Sequence, residues 1–150
     1  MEFSDVIKNR YSCKKFSSEQ IGKDKLDAIL EAGRVAPTAK NLQEQHIYVV
    51  QSESALETID KLTPCRYNAP TVLIVAYNKN NVFTYLGDKR NSGIEDATIV
   101  ATHLMLAAYN EGVDSCWINF FNPDELAKAF NLPEDEEILK ARETFSKLEQ

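Results

Sequence analysis

A chain of 150 residues has room for one hydrophobic core, and 43% hydrophobic with 27% charged residues is ordinary globular composition. The net charge of −6 argues against general binding to nucleic acid or to an anionic membrane surface. No apolar run approaches membrane-spanning length, and Met1–Asp5 lack the basic-then-apolar pattern of a secretory leader. Cys13, Cys65 and Cys116 are odd in number, far apart and free of any C-x-x-C spacing. They suit free thiols in a reducing cytoplasm rather than a disulfide framework, and His46 and His103 have no zinc-ligand spacing with them.

Phe3, Val6 and Ile7 recur at helical spacing, which predicts a short helix over 3–9. Arg10-Tyr11-Ser12-Cys13-Lys14-Lys15-Phe16 follows. In an extended chain Arg10, Ser12 and Lys14 share one face, and Tyr11, Cys13 and Lys15 the other. A guanidinium, a hydroxyl and an ammonium in a row can hold a phosphate monoester. The same row also fits a solvated basic edge strand, where lysine discourages edge pairing. Against an acidic background, a local basic segment suits a small anion better than a polyanion.

Gly22 is placed as N-cap of a helix over Lys23–Arg34, with Leu26, Ile29, Leu30 and Gly33 on one face and Glu31–Arg34 as a solvated pair. Pro37 ends it near Val35. Pro37–Gln43 reads as a polar loop and His46–Val50 as a strand. Ser54-Ala55-Leu56-Glu57 has the capping-box pattern and opens a helix to about Leu62, and Thr63–Pro70 reads as a loop. Thr71–Tyr77 is almost continuously apolar and β-branched, the mark of a buried central strand. After the polar stretch Asn78–Asn91, a helix is predicted from about Gly93 to Glu111. It is apolar round most of its circumference, which implies burial on several sides and, in a domain this small, a second subunit. Gly112 ends it as C′. Ser115–Phe121 reads as a strand, so that 71–121 forms a crossover unit with parallel pairing. Asn122-Pro123 caps a further helix, and Glu134–Gln150 reads as a charged helical tail.

Three stretches now act together: Arg10–Phe16, then Ala36-Pro37-Thr38-Ala39-Lys40-Asn41-Leu42-Gln43, then Gly112-Val113-Asp114-Ser115-Cys116-Trp117-Ile118. In this order, with the Leu104–Ala108 helix before the last, they resemble the nitroreductase family of FMN-dependent oxidoreductases. The resemblance covers about residues 1–139. It implies an α+β sandwich, with a mixed central sheet flanked by helices, in an interlocked homodimer with FMN at the subunit interface. Residues 1–150 would then form a single FMN-binding domain.

The resemblance also implies roles. Arg10, Ser12 and Lys14 would hold the FMN phosphate and the ribityl and pyrimidine side, with Lys14 stabilising negative charge on the reduced ring. Pro37, Thr38, Asn41 and Gln43 would reach a flavin across the dimer interface. Trp117, Ile118 and Asn119 would run along the isoalloxazine, with a backbone N–H of Ile118 or Asn119 directed at N5. The implied chemistry is ping-pong: NAD(P)H reduces the flavin, then a nitroaromatic, quinone or similar acceptor is reduced. It needs no catalytic acid, base or metal from the protein.

This chain departs from the family's pattern at two places. Gln43-Glu44-Gln45 stands where members often have Gln-Pro-Trp. Lys140–Gln150 does not resemble the strand and basic arm that usually follow, which leaves Arg142 as a candidate replacement for a phosphate contact. The second departure motivates an alternative reading, a flavin-binding or dimeric interaction protein without turnover.

Overall fold

The computed structural model describes residues 1–87 and 89–139. A three-stranded sheet lies at its centre, in the order β1 (Gln45–Val50), β2 (Val72–Asn78), β3 (Glu136–Ile138), with both pairings antiparallel. Gln45 pairs with Tyr77 and Val50 with Val72 on one side of β2, and Ala76 pairs with Ile138 on the other. The helices are α1 (Phe3–Asn9), α2 (Lys23–Arg34), α3 (Glu53–Leu62), α4 (Gly93–Asn110) and α5 (Pro123–Ala129). The arrangement is α+β, as the resemblance implies.

β2 explains its own composition. Val75 and Tyr77 point into a core shared with Ile29 of α2 and Ala97, Val100, Leu104 and Ala108 of α4. Ile74 and Ala76 point the other way, into a second core with Val50, Ile59 of α3, Leu126 of α5 and Ile138. A strand covered on both faces must be apolar at successive positions, not alternate ones. Each buried aliphatic side chain contributes roughly 1.5–3 kcal/mol. Helices α2 and α4 thus form one outer layer and α3 and α5 the other. Among the described residues no helix is long and apolar enough to cross a membrane.

Several local expectations hold in detail. Gly22 stands at the N-cap of α2 in extended conformation. Asn122 Oδ1 accepts from the backbone N–H groups of Asp124 and Glu125. Gly112 has φ +70°, the left-handed value a helix-ending glycine tolerates.

Three expectations are corrected. The N-cap of α3 is Ser52, not Ser54: the chain enters extended at Ser52, and Ser54 lies inside the helix, where its carbonyl accepts from Thr58 Oγ1. Ser115–Phe121 adds no strand to the sheet. Its regular pairing is one parallel bridge from Ser115 to Ser12, while the free side of β2 is taken at Ala76–Asn78 by β3. The crossover rule therefore has no second strand to act on, and the sheet is antiparallel. Within the tail, Glu136–Ile138 is that third strand rather than helix, and Leu139 N–H extends the ladder by donating to Val75 O at 2.8 Å. Arg142 and the rest of the tail from residue 140 lie outside the described residues.

Candidate functional site

The basic stretch leaves α1 as extended chain, with Arg10 at φ −60° and ψ 144°. It runs beside the segment that follows α4. Cys13 N–H donates to Ser115 O at 2.9 Å, and Tyr11 Oη donates to Asp114 Oδ2 at 2.8 Å. Cys13 is buried, while Tyr11, Ser12, Lys14 and Lys15 are all exposed, so burial does not alternate along this stretch. Arg10 is half-buried, and its Nε is fully covered with no hydrogen-bond partner among the described residues. A guanidinium N–H held away from water without an acceptor is costly, and an anion would relieve it.

The first and third motifs therefore meet. Lys14 and Arg10 lie near enough to Cys116 to act on its thiol. Burial raises the Cys116 pKa most. The Lys14 ammonium opposes that rise, Cys65 and Cys13 add to it, and Arg10 opposes it more weakly. Trp117 and Ile118 are half-buried, and Trp117 Nε1 donates to Asn119 Oδ1 at 3.1 Å. The backbone N–H groups of Ile118 and Asn119 have no acceptor among the described residues. The bridge from Ser12 to Ser115, and the action of Lys14 and Arg10 on Cys116, thus bring the first stretch to the start of the third.

The three cysteines converge, which their spacing along the chain does not reveal. Thr63 Oγ1 donates to Phe120 O at 2.7 Å, and Phe16 N–H donates to Tyr67 O at 3.3 Å. These bonds lay the turn Pro64–Arg66, with Cys65, against the segments that carry Cys13 and Cys116. All three thiols are free. Among the described residues no group of three or more His, Cys, Asp or Glu side chains is placed to hold a metal ion. A cleft of about 1050 Å³ opens behind these segments, walled by Cys13, Lys15, Leu73, Leu104 and Trp117. Arg10, Ser12 and Lys14 are absent from its walls, so it lies on the other side of the basic stretch from the trio.

The second motif sits elsewhere, at the first turn of α4. Ala39 N–H donates to Asp96 Oδ1 at 3.0 Å, and Gln43 N–H donates to Thr38 Oγ1 at 3.0 Å. Leu42 O accepts from Asn81 Nδ2 at 3.3 Å. Lys40, Asn41 and Gln43 have φ values of 53°, 53° and 51°, a run of left-handed residues that needs such ties to persist. Pro37, Asn41 and Gln43 are exposed and Thr38 half-buried. From Asp96 to Ala108, where the helix nears the other motifs, is roughly 18 Å of helix axis. One chain does not bring Pro37, Thr38, Asn41 and Gln43 to the trio.

Below this loop lies a feature that sequence reasoning missed. Glu44 is 2% exposed and Asp96 is 4% exposed, and Glu44 Oε1, Glu44 Oε2 and Asp96 Oδ2 have no hydrogen-bond partner. Burial, and next the Asp96 carboxylate beside it, raise the Glu44 pKa to about 7. The visible signal was the charged Glu44 itself, directly after the polar loop. Nothing local to that position marks it as buried.

A model of the nitroreductase family matches residues 7–66 and 64–141. A solved structure of a nitroreductase family protein from Clostridium difficile 630 superposes with a TM-score of 0.89 at 34% identity, over 93% of this chain and 80% of that one. The structure titled FMN-dependent nitroreductase from Clostridium difficile R20291 matches at TM-score 0.77 and 25% identity, over 91% of this chain and 82% of that one. Among curated proteins, the "Putative NAD(P)H nitroreductase YodC" of Bacillus subtilis is 28% identical, over 87% of this chain and 82% of its own length.

Proposed function

We propose a function from one premise: this chain belongs to the nitroreductase family. The protein is an FMN-dependent oxidoreductase that takes electrons from NAD(P)H and passes them to a small oxidised acceptor such as a nitroaromatic or a quinone. The whole chain, residues 1–150, acts as one FMN-binding domain within a homodimer, in the cytoplasm, where its thiols stay reduced. The names of its relatives point the same way: one is titled FMN-dependent, and another is named for NAD(P)H.

The observation that carries this reading is the bridge between Ser12 and Ser115. It supports the reading because it joins the stretch that carries two cations and a hydroxyl to the segment leading into Ile118 and Asn119, from positions far apart in sequence. The site fits the coenzyme chemically. Arg10 holds a covered Nε in want of an acceptor, and a phosphate monoester supplies acceptors and nearly two negative charges. Ser12 adds a hydroxyl donor and Lys14 a point charge. The N–H groups of Ile118 and Asn119 offer donors to the ring edge. Thr38, Asn41 and Gln43, at the far end of α4, serve the site of the partner subunit. When bound, the flavin supplies the hydride chemistry, and the residues of this chain bind, orient and tune it.

The test is direct. The protein incubated with FMN should be yellow, and NADH or NADPH should bleach it under anaerobic conditions. Arg10→Ala should weaken FMN binding roughly ten- to hundred-fold, since a charge-assisted bond contributes about 1.5–3 kcal/mol. Ser12→Ala should weaken it less. Protein that stays colourless with excess FMN refutes the reading. FMN that binds but is not reduced by either nicotinamide identifies a flavin-binding protein without turnover.

A further inference from the structure

The orphaned oxygens under the Thr38–Gln43 loop set a chemical problem. Three acceptors, two from Glu44 and one from Asp96, are covered and have no donor. Two carboxylates cannot satisfy each other, because ionised carboxyls only accept. Ionised together and out of water, they also repel. One proton removes the repulsion and pairs two of the three oxygens, since a carboxylic acid donates to a carboxylate.

Among the described residues the surroundings offer no other solution. From the loop, Lys40 is exposed and lies over the Phe83 ring, 5.7 Å from its centroid. From α4, Glu95 accepts from the Tyr85 hydroxyl. From β2, the Tyr77 hydroxyl donates to Glu137 at 2.6 Å. From β1, His46 contacts Glu136. Among the described residues, Asp96 is the one charged side chain that acts on Glu44.

The second carboxylate of this pair is also the loop's anchor, because Asp96 Oδ1 accepts from Ala39 N–H. We propose that Glu44 is a positioning residue for the Thr38–Gln43 loop: as the acid it donates its proton to Asp96, and when that proton leaves to solvent the paired charges push the loop off its anchor. The left-handed residues Lys40, Asn41 and Gln43 make the loop easy to release once the tie weakens. The acid form of Glu44, held up to about pH 7 by burial and by Asp96, places the change near neutrality. Because the folded state binds this proton more tightly than the unfolded chain does, stability is full at acid pH. It falls as pH rises toward and through 7. The consequence for the coenzyme rests on the function proposed above, whereas the carboxyl pair itself does not.

The experiment uses the full chain without flavin. Melting temperature is measured from pH 5 to pH 8 for the natural protein and for Glu44→Gln, whose amide donates to Asp96 at every pH. The two should melt together at pH 5, and Glu44→Gln should melt several degrees higher at pH 8. At pH 8, trypsin should cut after Lys40 several-fold faster in the natural protein than in Glu44→Gln. Comparison at one pH cancels the protease's own pH dependence. Asp96→Asn is the second variant, should the first not fold, and its melting should likewise lose the neutral step. Parallel pH profiles, or equal cutting after Lys40, overturn the proposal. FMN titration at pH 6 and pH 8 then tests the link: affinity should fall with pH in the natural protein and hold in Glu44→Gln. No FMN binding at either pH refutes the proposed function, and the two flavin-free measurements still decide the role of Glu44.

Discussion

Cys116 shows how one side chain reports on its surroundings. Burial pushes its thiol up, with Cys65 and Cys13 adding to the rise, and the Lys14 ammonium holds it down. The net effect is upward, so thiolate is scarce at neutral pH and reaction with an alkylating agent is slow. At pH 7, iodoacetamide should label Cys116 several-fold more slowly than free cysteine, followed residue by residue by mass spectrometry. Lys14→Ala should slow it further, because a cation that favours the thiolate is gone. Labelling as fast as free cysteine, or faster in Lys14→Ala, contradicts the placement of Lys14 beside the Ser115–Asn119 segment. This test needs no coenzyme. At this scale the extended course of the basic stretch was legible, and its pairing with Ser115 bears that out, whereas the burial of Cys13 alone among Tyr11–Lys15 was not. Glu44 was not, because its burial is imposed by α4, which is distant in sequence.

Among elements, α4 is the one on which packing depends most. It approaches β2 so closely that a Cβ on Gly93 would lie 2.3 Å from Cε2 and 2.6 Å from Cδ2 of Tyr77. The ring cannot withdraw easily, being buried and tied through its hydroxyl to Glu137. Gly93→Ala should therefore cost about 1–3 kcal/mol by overpacking, read as a lower urea midpoint with unchanged slope. Gly33 of α2 is a milder case. Its Cβ would meet Leu104 Cδ2 at 2.8 Å, the end of a flexible side chain, and alanine in a helix interior returns about 1 kcal/mol of propensity. Gly33→Ala should cost clearly less than Gly93→Ala, and the reverse order would show that the α2–α4 contact is the tighter one. Most element positions were legible, because caps and periodicity are local: Gly22, the Asn122-Pro123 start and the span of α2 needed nothing distant. The fate of Ser115–Phe121 and of Glu136–Ile138 was not. Whether a short apolar run joins a sheet depends on which edge is open, and β3 and Ser12 decide that from the two ends of the chain.

At the scale of the whole molecule, the motifs lie at opposite ends of α4, and the homodimer proposed above needs an apolar surface to cover. Ile94 and Ile99 on α4 are 38% and 37% exposed, and Phe3 and Ile7 on α1 are 68% and 49% exposed. If the proposed homodimer forms, these exposed apolar groups on two touching helices are the surface it would cover. A twofold partner across α4 would carry its Thr38–Gln43 loop toward the Arg10–Ser12–Lys14 trio of the first chain, and reciprocally, as an isologous interface requires. Sedimentation equilibrium should thus return twice the chain mass. Ile99→Glu, which puts a charge where the interface core excludes one, should shift the protein to the mass of one chain while leaving its cooperative melt intact. FMN affinity should fall with the dimer, although Arg10, Ser12 and Lys14 are untouched. A monomeric Ile99→Glu protein that binds FMN as tightly as the natural one would mean that a single chain completes the site, and that Pro37, Thr38, Asn41 and Gln43 take no part in it.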